Sequence, residues 1–311
     1  MKLLITGGGG PATESLWKLW NKKFDLFFAD QDITKIHPSV PRNKCIEVPN
    51  AQSNDFSIKI ERALNLYAIE IVISQVDEEL VQLKYLEKLH PNLMIVSPEI
   101  EFLNLCLNKE KLGRSLESNN LSDPRTKKLD ETSIYPGIET IFKPIFGRGS
   151  RDIFRVRNSI EFARIKDYLL VQEQEFIYQD LILGDEYTVQ MICSRSGALN
   201  AIVPLIVNEK RGSTTNCKVS NNESVIDMCK KIHETYKPAG TYNIQLIYSN
   251  TLKKPFVIEI NPRVSTTMCL ALNLGFDPVE IYSMKEHTSE VKIPTENITL
   301  RRYWVNEFTN C

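Results

Sequence analysis

The sequence predicts a chain of two characters, α/β over its first third and α+β beyond it. Three observations carry that reading. Over residues 1–100, β-rich apolar runs alternate with amphipathic helical ones, the order that builds an open parallel sheet covered by helices. From residue 141 onward, apolar runs follow one another across short turns, as antiparallel strands do. Residues 256–263, FVIEINPR, then place a carboxylate and an amide inside a hydrophobic strand that Pro262 ends. Simple alternation sends Ile258 and Ile260 to one face and Glu259 and Asn261 to the other.

The N-terminal elements follow in order: a strand at 3–6, a helix from about Thr13, a strand at 25–29 and a helix near 57–66. A strand at 69–74, a helix at 78–90 and a strand at 93–97 complete the set. The run Gly7-Gly8-Gly9-Gly10 lies between the first strand and first helix, and Asp30 closes the second strand. Gly7, Gly9 and Ala12 fit the dinucleotide fingerprint, with Asp30 about where a ribose-binding acid belongs. The alternative is a tight strand-to-helix turn in a Rossmann-like domain that holds no dinucleotide.

Residues 108–121 read as a helix ended by Asn119-Asn120, with a loop at 122–124. Residues 141–146 set Lys143 within an apolar strand that runs into Gly147-Arg148-Gly149-Ser150-Arg151. A buried ammonium is costly unless an anion compensates it. Glycines allow close backbone approach to phosphate, and arginines add charge-assisted donors. From Lys143 to Arg157 five basic residues face a single acid, Asp152, so a nearly neutral protein concentrates positive charge there. The stretch lacks the pattern of a Walker A loop.

A helix follows at 159–168. Residues 175–191 give two strands joined through Gly184, and 199–207 continue the sheet. Residues 208–216, polar and glycine-bearing, are expected to form a mobile loop. A helix at 224–236 turns through 237–240 into a hairpin of 243–247 and 256–261. On its first strand Asn243 and Gln245 oppose Ile244 and Leu246, so oxygen ligands from both strands converge. Such hard donors suit magnesium, which uses one or two carboxylates plus substrate phosphates. Short helices at 268–274 and 278–284 and a terminal strand at 301–308 complete the chain. The division is 1–100, 101–172 and 173–311.

Composition narrows the function. The chain has 311 residues, 42% of them hydrophobic, a formal net charge of −1 and a pI near 6.5. It can bury a substantial core, and it has no global basic field to recommend nucleic acid. Seven cysteines form no C-x-x-C pair, which fits reduced thiols and a cytoplasmic setting. No signal peptide or membrane-length apolar run is visible. His37, His90, His233 and His287 lie outside the motifs and are read as structural.

Lys109, Lys143 with its GRGSR loop, the segment QDLILGDEYTV and EINPR resemble, in order and approximate spacing, the ATP-grasp superfamily. The likeness is to short proteins similar to half of a carbamoyl-phosphate synthetase large chain, and it covers almost all of residues 1–290. It implies a Rossmann-like N-terminal domain followed by a two-lobed ATP-grasp domain with ATP between the lobes. In that pattern Lys109 and Lys143 contact nucleotide phosphates, and Gly147, Arg148, Gly149, Ser150 and Arg151 close over them. Gln179, Asp180, Leu181 and Ile182 lie along the adenine hinge, and Glu186 holds the ribose. Gln245, Glu259 and Asn261 ligate magnesium, or manganese in its place, and Arg263 stabilises the transferred phosphoryl group.

Three positions depart from the pattern: Asp180 is short for the hinge, Asn108 replaces an aspartate, and Gln245 is neutral where many relatives carry an acid. Glu259 is therefore the one firm carboxylate ligand. The implied activity is an ATP-dependent carboxylate–amine (or carboxylate–thiol) ligase forming an acyl phosphate, ADP and phosphate, with Lys143, Arg151 and Arg263 as the catalytic side chains. Its partners are a small carboxylate and a small amine, with no nucleic acid or membrane, and a homodimer is compatible with it. Carbamoyl phosphate synthesis does not fit, because one ATP-grasp unit is present and that reaction uses two phosphorylations. Two alternatives are an NAD-dependent oxidoreductase using the N-terminal glycines and a non-catalytic ATP-sensing module.

Overall fold

A computed structural model describes residues 1–147, 149, 151–284 and 290–303. The first hundred residues form a five-stranded, all-parallel sheet in the order β3-β2-β1-β4-β5. Its elements are β1 (Lys2–Thr6), α1 (Thr13–Trp20), β2 (Asp25–Asp30), β3 (Cys45–Glu47), α2 (Phe56–Tyr67), β4 (Ile71–Ser74), α3 (Leu80–Leu89) and β5 (Met94–Ile95). Strand order reverses between β1 and β4. The crevice beyond the carboxyl ends of the strands at such a reversal is where open α/β sheets bind ligands.

Two consecutive helices, α4 (Ile100–Leu107) and α5 (Lys109–Ser118), lead onward. Asn108 accepts a hydrogen bond from the Lys111 amide at 2.9 Å and so caps α5, a function asparagine serves as well as aspartate. A four-stranded antiparallel sheet of order β6-β9-β7-β8 comes next. It comprises β6 (Lys127–Lys128), β7 (Thr140–Pro144), β8 (Phe154–Val156), α6 (Ser159–Leu170) and β9 (Phe176–Asp180), around a core of Phe142, Phe162 and Tyr178.

The third sheet, β14-β13-β10-β11-β12-β15, is antiparallel. Its elements are β10 (Asp185–Cys193), β11 (Leu199–Arg211), β12 (Ser213–Val219), α7 (Glu223–Tyr236), β13 (Thr241–Ser249), β14 (Lys254–Asn261), α8 (Met268–Asn273), α9 (Pro278–Ser283) and β15 (Thr299–Arg301). Asn158, Asn222 and Asp277 cap α6, α7 and α9 through their side chains, and Pro278 opens α9 with a preset φ.

Strand alternation gives this sheet two faces. Val189, Met191, Ile244 and Val257 pack with Phe102 and Leu112 of α4 and α5. From the opposite face Ile192, Val203 and Leu205 share one core with Leu3, Ile5 and Ile71 of the parallel sheet and with Met268 and Tyr282 of α8 and α9.

The structure corrects one expectation outright. Residues 208–216 are not a loop but the outer half of a hairpin in which β11 and β12 pair and turn at Gly212, whose φ is +72°. Residues 208–212 are exposed, whereas Thr214 and Thr215 are buried and Lys210, Ser213 and Thr214 line the cleft described below, so the polarity belongs to a wet edge and a polar cleft wall. A terminal strand is present but earlier than expected: β15, paired with β12, shares only Arg301 with the span 301–308, residues 302 and 303 are not in a strand, and 304–308 lie outside the described residues.

Candidate active site

One cleft of about 650 Å³ lies where the three sheets meet, lined by residues from all of them. Its floor is the polar face of the six-stranded sheet. In the β13–β14 pairing Asn243 stands opposite Asn261 and Gln245 opposite Glu259, so the four polar side chains form a compact square.

A β-bulge between Gln245 and Leu246 pairs Leu246 with Val257. This overturns the expected facing of Ile258. Val257 and Ile260 enter the core with Ile244 and Leu246, whereas Ile258 lines the cleft. A bulge inserts one residue and switches the alternation beyond it, an event a strictly two-residue period does not register.

Lys143 reaches this floor from β7. It is 5% exposed, and its Nζ donates to the Ile258 carbonyl at 3.2 Å. Burial pulls its pKa down to about 8, against the attraction of Glu259 and with the repulsion of Lys109. Lys109 is also lowered by burial. Its Nζ donates to the Gly147 carbonyl at 2.7 Å, and its amide to the Ile145 carbonyl at 3.1 Å. Burial pushes the Glu259 carboxyl up, but Lys143, Lys109 and a 3.1 Å hydrogen bond from Asn261 Nδ2 outweigh it and hold it below the usual glutamate value. The site thus carries surplus buried positive charge around one carboxylate, a field that favours an anion.

Gly147, Gly149 and Arg151 also line the cleft; Arg148 and Ser150 lie outside the described residues. Both glycines hold positive φ, +123° and +72°, which glycine adopts without steric cost. Glu186 is present too, in an ion pair with Lys210 of β11 at 2.6 Å. Arg263 donates from Nε to Asp77 Oδ1 at 2.9 Å, across to the residue pair that follows β4. Burial raises the Asp77 carboxyl despite that guanidinium.

The hinge residues are not brought into this cleft. The Gln179 amide donates to Thr126 Oγ1 at 2.6 Å, Asp180 pairs with Arg125, and the Leu181 amide donates to the Glu139 carbonyl at 2.8 Å. Leu181 and Ile182 are half-buried outside its lining.

The profile of the ATP-grasp domain matches residues 106–267, which include both lysines, the glycine loop and the β13–β14 hairpin. The chain belongs to the ATP-grasp family. No curated protein matches it in sequence, but solved ATP-grasp structures share the fold. The L-amino acid ligase from Bacillus licheniformis aligns with a TM-score of 0.62 at 16% identity, over 86% of this chain and 68% of the other. N5-carboxyaminoimidazole synthetase from Staphylococcus aureus, complexed with ADP, gives 0.61 at 14%, over 85% and 70%. The biotin carboxylase domain of Hydrogenobacter thermophilus 2-oxoglutarate carboxylase, with MgADP and bicarbonate, gives 0.67 at 12%, over 94% and 71%.

The donor set of this ATP-grasp chain fits magnesium. Glu259 offers carboxylate oxygen, Gln245 amide oxygen, and Asn261, whose Nδ2 is committed to Glu259 and Asn243, has Oδ1 to offer. No group of three or more His, Cys, Asp or Glu that could hold a metal occurs among the described residues. An oxygen site with few carboxylates is what magnesium shared with substrate phosphates requires. No helix among them is long and apolar enough to cross a membrane.

Several lining residues escaped the sequence reading. Lys210 was concealed in the segment read as a loop. Gln75 and Glu78 lie in the N-terminal domain, and their place in the cleft depends on packing between domains. The acidic run Asp77-Glu78-Glu79 directly after β4 was the available signal.

Proposed function

We propose that the protein is a ligase that activates a carboxylate with ATP and transfers the acyl group to an amine. The carboxylate oxygen attacks the terminal phosphorus, the bond to the bridging oxygen breaks, and ADP leaves. The amine nitrogen then attacks the acyl carbon, the bond to phosphate breaks, and the nitrogen gives up its proton as the amide forms. A thiol acceptor follows the same course.

The observation that carries this reading is the buried Lys143, facing Glu259 on the floor of a cleft shared by three sheets. Lys143 and Lys109 offset phosphate charge before reaction, and Arg151 and Arg263 add guanidinium donors at the mouth and at the inner end. Preset donors of this kind cost no reorganisation when charge develops. Glu259, Gln245 and Asn261 would hold magnesium, which would supply further neutralisation of phosphate charge. Glu186, which does line the cleft, takes the ribose hydroxyls once Lys210 lets go. The division at residues 100 and 172 assigns ATP to the boundary of the second and third parts, with manganese an acceptable substitute metal.

The glycines after β1 support the other reading poorly. The amides of Gly8, Gly9 and Gly10 donate to the Ala29 carbonyl, the Asp30 carboxylate and the Gly7 carbonyl at 2.9, 2.8 and 3.0 Å. Asp30 thus caps the glycine turn itself. ADP and phosphate release across a matrix of carboxylic acids and amines tests the ligase reading. MgATP binding with no turnover on any pair would favour the sensing module.

A further inference from the structure

The cleft extends past the lysines to the point where strand order reverses in the parallel sheet. There Gly7 ends the β1 side and Gln75 the β4 side. Gln75 is 6% exposed, yet neither its Nε2 nor its Oε1 has a hydrogen-bond partner among the described residues. Its Oε1 lies just beneath the glycine turn, 3.8 Å from where a Cβ on Gly10 would stand. Burying both ends of an amide without partners forfeits its hydration with nothing in return, and such groups in native proteins call for an explanation. The surrounding charge indicates the ligand. Asp30 and Glu78 line the same end of the cleft, where Arg263 is matched by Asp77 and Lys109 is drawn to Asp77 and Glu78 alike.

We propose that this switch-point compartment binds the amine substrate as its ammonium, with Gln75 as the specificity-determining residue. This rests on the ligase reading and adds the chemical class and place of the acceptor. The Gln75 carbonyl accepts from the ammonium, its amide donates to a neighbouring carbonyl of the same molecule, and Glu78 and Asp30 set the sign of the charge; the ammonium gives up one proton to solvent before its nitrogen attacks and a second as the amide forms. The carboxylate substrate is kept to the other side, by Lys143, away from Asp30 and Glu78.

The test uses the purified chain without nucleotide. Amino acid amides carry an ammonium and a carbonyl but no carboxylate; N-acetyl amino acids carry the carboxylate and no ammonium. Thermal shift and calorimetry are expected to show stabilisation by the amides that depends on Gln75, whereas any response to the N-acetyl acids, held at the Lys143 side, does not depend on it. In Gln75→Leu the amide affinity falls at least tenfold, while the melting temperature of the empty protein is unchanged or higher because an unsatisfied polar group has gone. Glu78→Gln, at an exposed position, weakens the same ligands several-fold.

Absence of any response to the amides overturns the proposal. So does a Gln75→Leu protein that binds the amides as wild type does, or one that melts lower with binding intact, since the amide then serves only the fold. MgATP binding, measured separately, keeps the two readings apart: its failure removes the ligase reading, whereas selectivity for ammonium reads only this compartment.

Discussion

Replacing Lys143 by methionine removes a charge the folded protein holds at a cost. The fall of its pKa from 10.5 to about 8, at about 1.4 kcal/mol per tenfold change in proton affinity, amounts to roughly 3 kcal/mol against the folded state. The attraction of Glu259 is already contained in that figure. Methionine keeps most of the stem but forfeits the hydrogen bond to the Ile258 carbonyl, worth about 1 kcal/mol. Lys143→Met is therefore expected to be more stable than wild type by about 2 kcal/mol at pH 7.

The sign has a pH signature. Below pH 8 both folded and unfolded lysine are protonated, and the full cost applies. Between pH 8 and 10.5 the folded lysine is neutral while the unfolded one keeps its proton, so wild-type stability rises relative to the variant and the gap closes. Urea unfolding at pH 7 and pH 10 measures both gaps. A variant less stable at pH 7, or a gap that does not narrow with pH, would show that Lys143 is held by favourable pairing and not poised for an anion.

MgATP is expected to raise the melting temperature of wild type and NADH to leave it unchanged, with stabilisation near 2.7 kcal/mol at a hundredfold excess over Kd. A shift with NADH alone would reverse the order of the readings. Glu259→Gln should keep a wild-type circular dichroism spectrum and lose magnesium-dependent ADP formation; retained activity at ordinary magnesium would remove Glu259 from the site. Lys210→Met frees Glu186, so the KM for ATP should fall, and a rise would place Lys210 on the nucleotide instead. Gly184→Ala should cost at least 1–3 kcal/mol, because its Cβ would come within 2.0 Å of the Tyr248 carbonyl oxygen; denaturation midpoints decide.

Much of this architecture could be read from sequence where local chemistry and period agreed. The β1-to-α3 alternation and the β13–β14 hairpin are of that kind. Lys143 and Glu259 stood out because charge inside an apolar strand is expensive and seldom incidental. Short β3 carried too little pattern, with three residues between a 3₁₀ turn and Pro49. The outer hairpin of β11 and β12 read as loop because its buried positions, Thr214 and Thr215, are polar and leave no apolar period. Gln75 and Asp77 were out of reach for a different reason, since their meaning arises only when the parallel sheet is laid against the large one.

That docking has a consequence for how the molecule comes apart. The parallel sheet and the six-stranded sheet bury their apolar sides in one continuous core, with α8 and α9 between them, while the four-stranded sheet keeps a core of its own. Melting should then proceed in two steps, with the small lobe as an independent foldon and everything else as a single cooperative block. A chain cut after Ser97 would not release an autonomous catalytic half. It would strip Val203 and Leu205 of their cover and turn the back of the large sheet into a sticky, aggregation-prone wall.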